Sequence, residues 1–175
     1  MMKKILHLLL LGSFLLLLFH PASAQERIPG TKVTYQFPSK WKYLSTTTID
    51  KNTKLYLFCY KEHAVVADGD TTLPFLRIYV RKNYTKPISD LVFERYMGQP
   101  YQSLDDYTHG LGLPATGGMG FVGAYTNTKD RRDYQFRMVY FKEANTIVEF
   151  RLETTRNTYT QMEPEFEQIL KSLSF

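Results

Sequence analysis

The final third of the chain leaves the fewest options for how it folds. Tyr134 to Phe141 and Thr146 to Thr154 are two β-prone runs, and an amphipathic segment follows them directly. Tyr159, Met162, Phe166, Ile169, Leu170 and Leu173 share one stripe at helical spacing. A hairpin that runs straight into such a helix buries the stripe across its own strands, which calls for a sheet with a helix packed on it. Thr160 and Glu163 stand at capping-box spacing, and Pro164 is tolerated only in a first turn. The helix is therefore expected to begin nearer 161 than 158.

The apolar pattern also selects a hairpin register. Phe136, Met138 and Tyr140 are expected on the same side as Val148, Phe150 and Leu152. Pairing 140 with 148 achieves this, with a loop of three or five residues around Ala144 and Asn145. A two-residue loop would set Phe136 and Met138 beside Glu153 and Arg151. The expected register puts Arg137 opposite Arg151 on the second face, among Gln135, Glu149 and Glu153. Like charges opposed across strands are unfavourable, so either the glutamates or an external anion must neutralise them. Phe75 to Lys82 alternates, with Leu76, Ile78 and Val80 on one face and Phe75, Arg77, Tyr79 and Arg81 on the other. Together these define a candidate partner-binding patch of Arg77, Tyr79, Arg81, Arg137 and Arg151. A solvated, self-compensated sheet face is the alternative.

The opposite end of the chain carries an address. Lys3 and Lys4 precede a leucine-dominated run from Ile5 to Phe19, and His20-Pro21 then Ala22-Ser23-Ala24 close it. That is the layout of a secretory signal, with cleavage expected between Ala24 and Gln25. Fifteen residues at about 1.5 Å each fall short of the roughly 30 Å hydrocarbon core, which argues against a retained anchor. Residues 1–24 thus read as a signal peptide and 25–175 as a single domain, periplasmic or extracellular, with no integral membrane segment after cleavage. Removal of the leader lowers the formal charge from +5 to +3, too balanced to call for nucleic acid. Cys59 is the only cysteine, so no internal disulfide forms, and its alternation with Leu55 and Leu57 marks it as a small buried hydrophobe.

Between the two ends the reading is coarser. Val33 to Phe37 is a strand candidate, and Asp50, Lys51 and Asn52 turn into a β-prone run from Lys54 to Tyr60. Residues 61–72 are irregular, with a turn at Asp68-Gly69-Asp70. Pro87 opens a helix whose inner stripe is Leu91, Val92 and Tyr96, stopped by Gly98 and Pro100. Residues 105–120 form a glycine-bearing loop, Phe121 to Thr126 a strand, and 129–132 a turn.

Tests for chemistry return structural answers. Gly118-Met119-Gly120-Phe121-Val122-Gly123 has the letters of a dinucleotide fingerprint, but a β-prone run follows where a helix is required. Asp68-Gly69-Asp70 lacks the twelfth-position glutamate of a calcium loop, having Tyr79 there. His63 and His109 are far apart, with no metal-ligand spacing. No Gly-x-Ser-x-Gly elbow is present, and the adjacent Asp105 and Asp106 read as a solvated pair. No catalytic, cofactor or metal residues are assigned.

Phe37-Pro38-x-x-Trp41 after the first strand, a mid-chain helix, and a hairpin leading to a helix that ends Ile169-Leu170-Lys171-Ser172-Leu173-Ser174-Phe175 together resemble the PsbP-like superfamily. That group includes the extrinsic photosystem II subunit, a Ran-binding nuclear import factor and bacterial DcrB-like exported proteins. The resemblance spans nearly all of residues 31 to 175. It implies an α+β fold: an antiparallel sheet of about six or seven strands flanked by helices, an α/β/α sandwich. Phe37, Trp41 and Phe175 match as packing positions, and no catalytic residues carry over.

The functional expectation is an exported, non-enzymatic binding or accessory module of the cell envelope, whose partner is an envelope protein or a small anionic ligand. The alternative is a small secreted hydrolase built on the 105–120 loop from His109, Asp105 or Asp106 and a hydroxyl. An outer-membrane β-barrel fits poorly, because the strands are too short and a helix ends the chain.

Overall fold

Strand β7 (Phe75–Arg81) shows why the centre of the molecule is a sheet covered on both sides. Leu76, Ile78 and Val80 are buried on one face, while Arg77 and Tyr79 on the other are half-buried and Arg81 is buried. The computed structural model describes residues 25–61, 65–67, 70–96, 101–106 and 118–174; residues 1–24, the expected leader, lie outside them.

Two short strands, β1 (Glu26–Arg27) and β2 (Thr34–Tyr35), pair with each other at the start. The main sheet then takes β3 (Trp41–Asp50), β4 (Thr53–Tyr60), β7, β8 (Ser103–Asp106), β9 (Met119–Thr126), β10 (Asp133–Glu143) and β11 (Thr146–Thr155). All its neighbours are antiparallel, in the order β3-β4-β7-β11-β10-β9-β8. The irregular 61–72 segment holds a small hairpin, β5 (Val65–Ala67) with β6 (Asp70–Thr72). Helix α1 (Ile88–Tyr96) lies on one face of the main sheet and α2 (Arg156–Lys171) on the other. The expected α+β class and strand number are what the chain adopts. The expected 105–120 loop begins with two residues of β8, and the rest of it, 107–117, lies outside the described residues. Strand β9 starts at Met119, so Gly120 and Gly123 sit within a strand rather than a bend.

The core under α2 joins Trp41, Phe58, Leu76, Ile78, Phe150 and Leu152 to Tyr159, Met162, Phe166 and Ile169. Phe166 and Ile169 are fully buried, each removal from water contributing roughly 1.5–3 kcal/mol. The N-terminal segment closes this core: Ile28, Val33 and Tyr35 are buried in it, and Thr34 exchanges backbone hydrogen bonds with Ser174.

Two expectations are corrected. Helix α2 begins at Arg156, and Pro164 lies in its interior. Pro164 is exposed, so the missing backbone donor and the ring face water, while Tyr159 and Met162 before it and Phe166 and Ile169 after it are buried. Packing on both sides of the proline outweighs its helix-breaking cost of about 3 kcal/mol. Thr160 and Glu163 consequently cap nothing; at the true start, Thr158 Oγ1 donates to the Thr155 carbonyl at 3.1 Å.

The hairpin register is one residue off the expected one. Glu143 pairs with Thr146 across a two-residue loop, Tyr140 pairs with Glu149, and Arg137 pairs with Leu152. Ala144 adopts φ 49° to make the turn, and the Tyr84 amide donates to the Asn145 carbonyl at 2.9 Å. The expectation assumed one wet face, whereas here both faces are covered. Phe136, Met138 and Tyr140 are therefore buried under α1 with Leu91 and Val92, and nothing forces them beneath α2.

Candidate functional site

The slip separates Arg137 from the other members of the proposed patch. Its guanidinium points beneath α2 and meets Glu167 at 3.2 Å and Glu163 at 3.4 Å. The side chain is only 2% exposed, while both glutamates reach solvent. Arg137 anchors a helix and lines no shared surface with Arg151.

Arg77, Tyr79, Arg81 and Arg151 do share one face. The like-charged pair that the sequence anticipated exists with a different partner: Arg151 on β11 stands directly opposite Arg77 on β7. Between them sits Glu153. Arg77 Nη1 lies 3.3 Å from Glu153 Oε1, and Arg151 Nη2 donates to Glu153 Oε2. Four residues along each strand, a carboxylate again lies between two guanidinium groups. Glu149 is fully buried, accepting from Arg81 at 3.0 Å and from Arg95 of α1 at 3.2 Å. Arg81 and Arg95 both lie over the Tyr79 ring, at 5.0 and 4.8 Å from its centroid. Four guanidinium groups thus share two carboxylates, and each carboxylate leaves one positive charge over.

Burial sharpens this imbalance. It pushes the Glu149 carboxyl up from the ordinary glutamate range, against the pull of Arg95 and Arg151. Burial also works against the charge on Arg151, but Glu153, then Tyr101 and Glu149, more than offset it and hold the guanidinium protonated. Its Nε is buried with no hydrogen-bond partner, an orphan donor of the kind folded proteins seldom keep.

Beside Arg77 and Arg151 the sheet opens into a cleft of about 350 Å³. Tyr79 and Glu153 continue its floor, and Tyr101, Tyr125 and the Thr126-Asn127-Thr128 turn form its far wall. Among the described residues, helix α1, nine residues long, covers only part of this face. Tyr125 is pushed up to about 12 by burial first and then by the Glu153 charge, so it stays a hydroxyl donor. A second chamber of about 360 Å³ shares Arg77, Tyr125, Asn127 and Glu153 with the first and extends to Arg132 and Tyr134.

Sequence reasoning found Arg77, Tyr79 and Arg151 and missed Tyr101, Tyr125 and Asn127. Tyr125 alternates in β9 with the buried Phe121 and Gly123, a signal that was present. Tyr101 and Asn127 lie outside strands and carried none. Asp105 and Asp106 are exposed on the edge strand β8. The expected hydrolase alternative needs His109, which lies outside the described residues, as does His63. Cys59 is buried and free of any disulfide. No cluster of three or more potential metal ligands occurs among the described residues, and no helix among them is long and apolar enough to cross a membrane.

No protein-family model matches the chain, and no curated protein does. Solved structures do share its fold. LpqN, involved in cell envelope biogenesis of Mycobacterium tuberculosis, superposes with a TM-score of 0.53 at 12% identity, covering 86% of this chain and 88% of LpqN. A Bacteroides thetaiotaomicron protein reaches 0.51 at 14% identity over 86% of this chain, which spans 47% of that one. The Ran-binding protein Mog1p of Saccharomyces cerevisiae reaches 0.50 at 9% identity, covering 86% and 94%. At these identities the likeness is one of fold: an antiparallel sheet flanked by helices, the α+β arrangement that the resemblance implied.

Proposed function

We propose that this protein is an exported, non-enzymatic accessory module of the cell envelope that binds an anionic ligand in the cleft beside α1. The observation that carries the reading is the opposed Arg77–Arg151 pair on the cleft wall, neutralised only in part by Glu153. Guanidinium groups are the side chains of choice for carboxylate and phosphate recognition, and a partly enclosed wall strengthens their attraction. The leader-like segment at 1–24 supports export, and the envelope role of LpqN, a protein of the same fold, supports the setting. The described groups in the cleft suit holding rather than transforming a ligand, since Arg151 is held in its charged form and Tyr125 keeps its proton.

Calorimetric titration of the purified chain with a panel of small anions tests the binding. Wild type is expected to bind at least one, and Arg77→Gln with Arg151→Gln is expected to abolish it. Unchanged affinity in the double variant would sink the proposal. Cell fractionation tests export: retention of the full-length chain in the cytoplasm counts against it.

A further inference from the structure

We infer that the ligand of this cleft is an acidic saccharide: a single sugar ring, or a short chain ending in one, that carries one carboxylate. The inference rests on the anion-binding reading and adds the chemistry of the rest of the ligand.

The lining argues first. Among the described residues, every side chain on the wall of the first chamber carries a polar donor or acceptor, and none is aliphatic. A fatty acid or a lipid tail would bury those hydroxyls and amides without partners, at a cost for each. Thr126, Asn127 and Thr128 run consecutively along the rim; the Thr126 hydroxyl is held by Asp133 and Gln102, which leaves the Asn127 amide group and the Thr128 hydroxyl to meet a ligand that carries several hydroxyls of its own.

The aromatic walls argue second. The Tyr101 and Tyr125 rings lie 6.2 Å apart, tilted by 60°. Tyr101 is backed by Phe136 at 4.7 Å, and Tyr125 stacks on Tyr134 at 5.4 Å. These contacts fix the rings in place as flat, hydroxyl-tipped surfaces. The C–H face of a pyranose packs on such a surface while its hydroxyls point to polar neighbours, a match that a bare inorganic anion does not use.

Charge and size argue third. Arg77 and Arg151 against Glu153 leave one positive charge, which matches a carboxylate better than a phosphate monoester of about −1.5 to −2. The 350 Å³ chamber stands at the small end of the roughly 300–1,000 Å³ spanned by small-molecule sites. One ring fits within it with space for bridging water, and the adjoining chamber lies beside it for a neighbouring unit.

The experiment is a set of titrations of the full chain with glucuronate, galacturonate, glucose, acetate and a sugar phosphate, read by calorimetry and by amide chemical shifts at Thr126 to Thr128. At least one uronate is expected to bind about tenfold or more tighter than both glucose and acetate, moving those amides. Tyr101→Ala is expected to erase the preference for uronate over acetate, and Arg77→Gln the preference for uronate over glucose. Should either variant unfold, the shift map on wild type decides alone. Acetate binding as tightly as a uronate, or the sugar phosphate binding tighter, overturns the saccharide assignment while the anion site stands. Absence of binding by every anion overturns both.

Discussion

The two faces of the central sheet are built from the same strands, yet they are opposite kinds of surface. Beneath α2, a sixteen-residue helix lays Tyr159, Met162, Phe166 and Ile169 over an almost wholly apolar floor. Beneath α1, a nine-residue helix covers Phe136, Met138 and Tyr140 and leaves the remaining arginines, glutamates and tyrosines beside a cleft. Each face buries a guanidinium–carboxylate cluster, but differently. Arg137 is buried and its two glutamates are wet; Glu149 is buried together with Arg81, and its second arginine, Arg95, is partly exposed. The first design spends its polar residues on docking a helix. The second keeps cations over at a surface a ligand can reach.

The largest test of this contrast lies on the sealed face. Phe166→Ala is expected to lower unfolding free energy by about 3–5 kcal/mol in a denaturant melt, with Leu91→Ala under α1 costing about 2 kcal/mol. Equal losses would show that the two faces are not differently sealed. Next, Glu149→Gln leaves Arg81 and Arg95 without their countercharge, and a loss of about 3 kcal/mol is expected; a neutral outcome would mean that the second face tolerates bare guanidinium groups.

A smaller effect probes how β9 closes the cleft side. A Cβ at Gly123 would meet the Phe136 ring and would lie 2.6 Å from the Ser103 carbonyl oxygen. Gly123→Ala therefore forces either that ring or strand β8 to shift, costing about 1–3 kcal/mol. The smallest effect belongs to Glu167→Gln, expected to cost under about 1 kcal/mol because the pair is partly exposed. Its pH dependence sharpens the prediction. The Arg137 hydrogen bond holds the Glu167 carboxyl below the ordinary value of 4.5, so its contribution is present above that pH and fades as pH falls through the lowered value. The stability gap between variant and wild type should close in acid; a gap independent of pH would mean that the ion pair contributes nothing.

Much of this contrast was legible residue by residue. The alternation of Leu76, Ile78 and Val80 with Arg77, Tyr79 and Arg81 assigned both faces of β7 correctly, because a strand side chain has only two directions to choose from. The stripe from Tyr159 to Leu170 likewise named the helix that seals one face. The register of β10 on β11 was misread for a definite reason. Hydrophobic pattern chooses a register only when one face is wet, and the partial cover given by α1 cannot be seen in the strands themselves. From that single residue of slip follows the removal of Arg137 from the site, while the opposition of Arg151 with Arg77 comes from the separate pairing of β11 with β7. Pro164 was misjudged similarly, since helix propensity is local and the packing that overrides it is not.

What the amino-acid order determined by itself was which side chains travel together along each element: alternation and helical spacing are properties of one segment's backbone geometry, and they hold wherever that segment is placed. What only the three-dimensional arrangement decided was which segments face one another. Two arginines became neighbours across strands 74 positions apart, and both line a cleft with Tyr101 and Tyr125 from other segments. Both facts depend on where distant elements come to rest, and no local period records that.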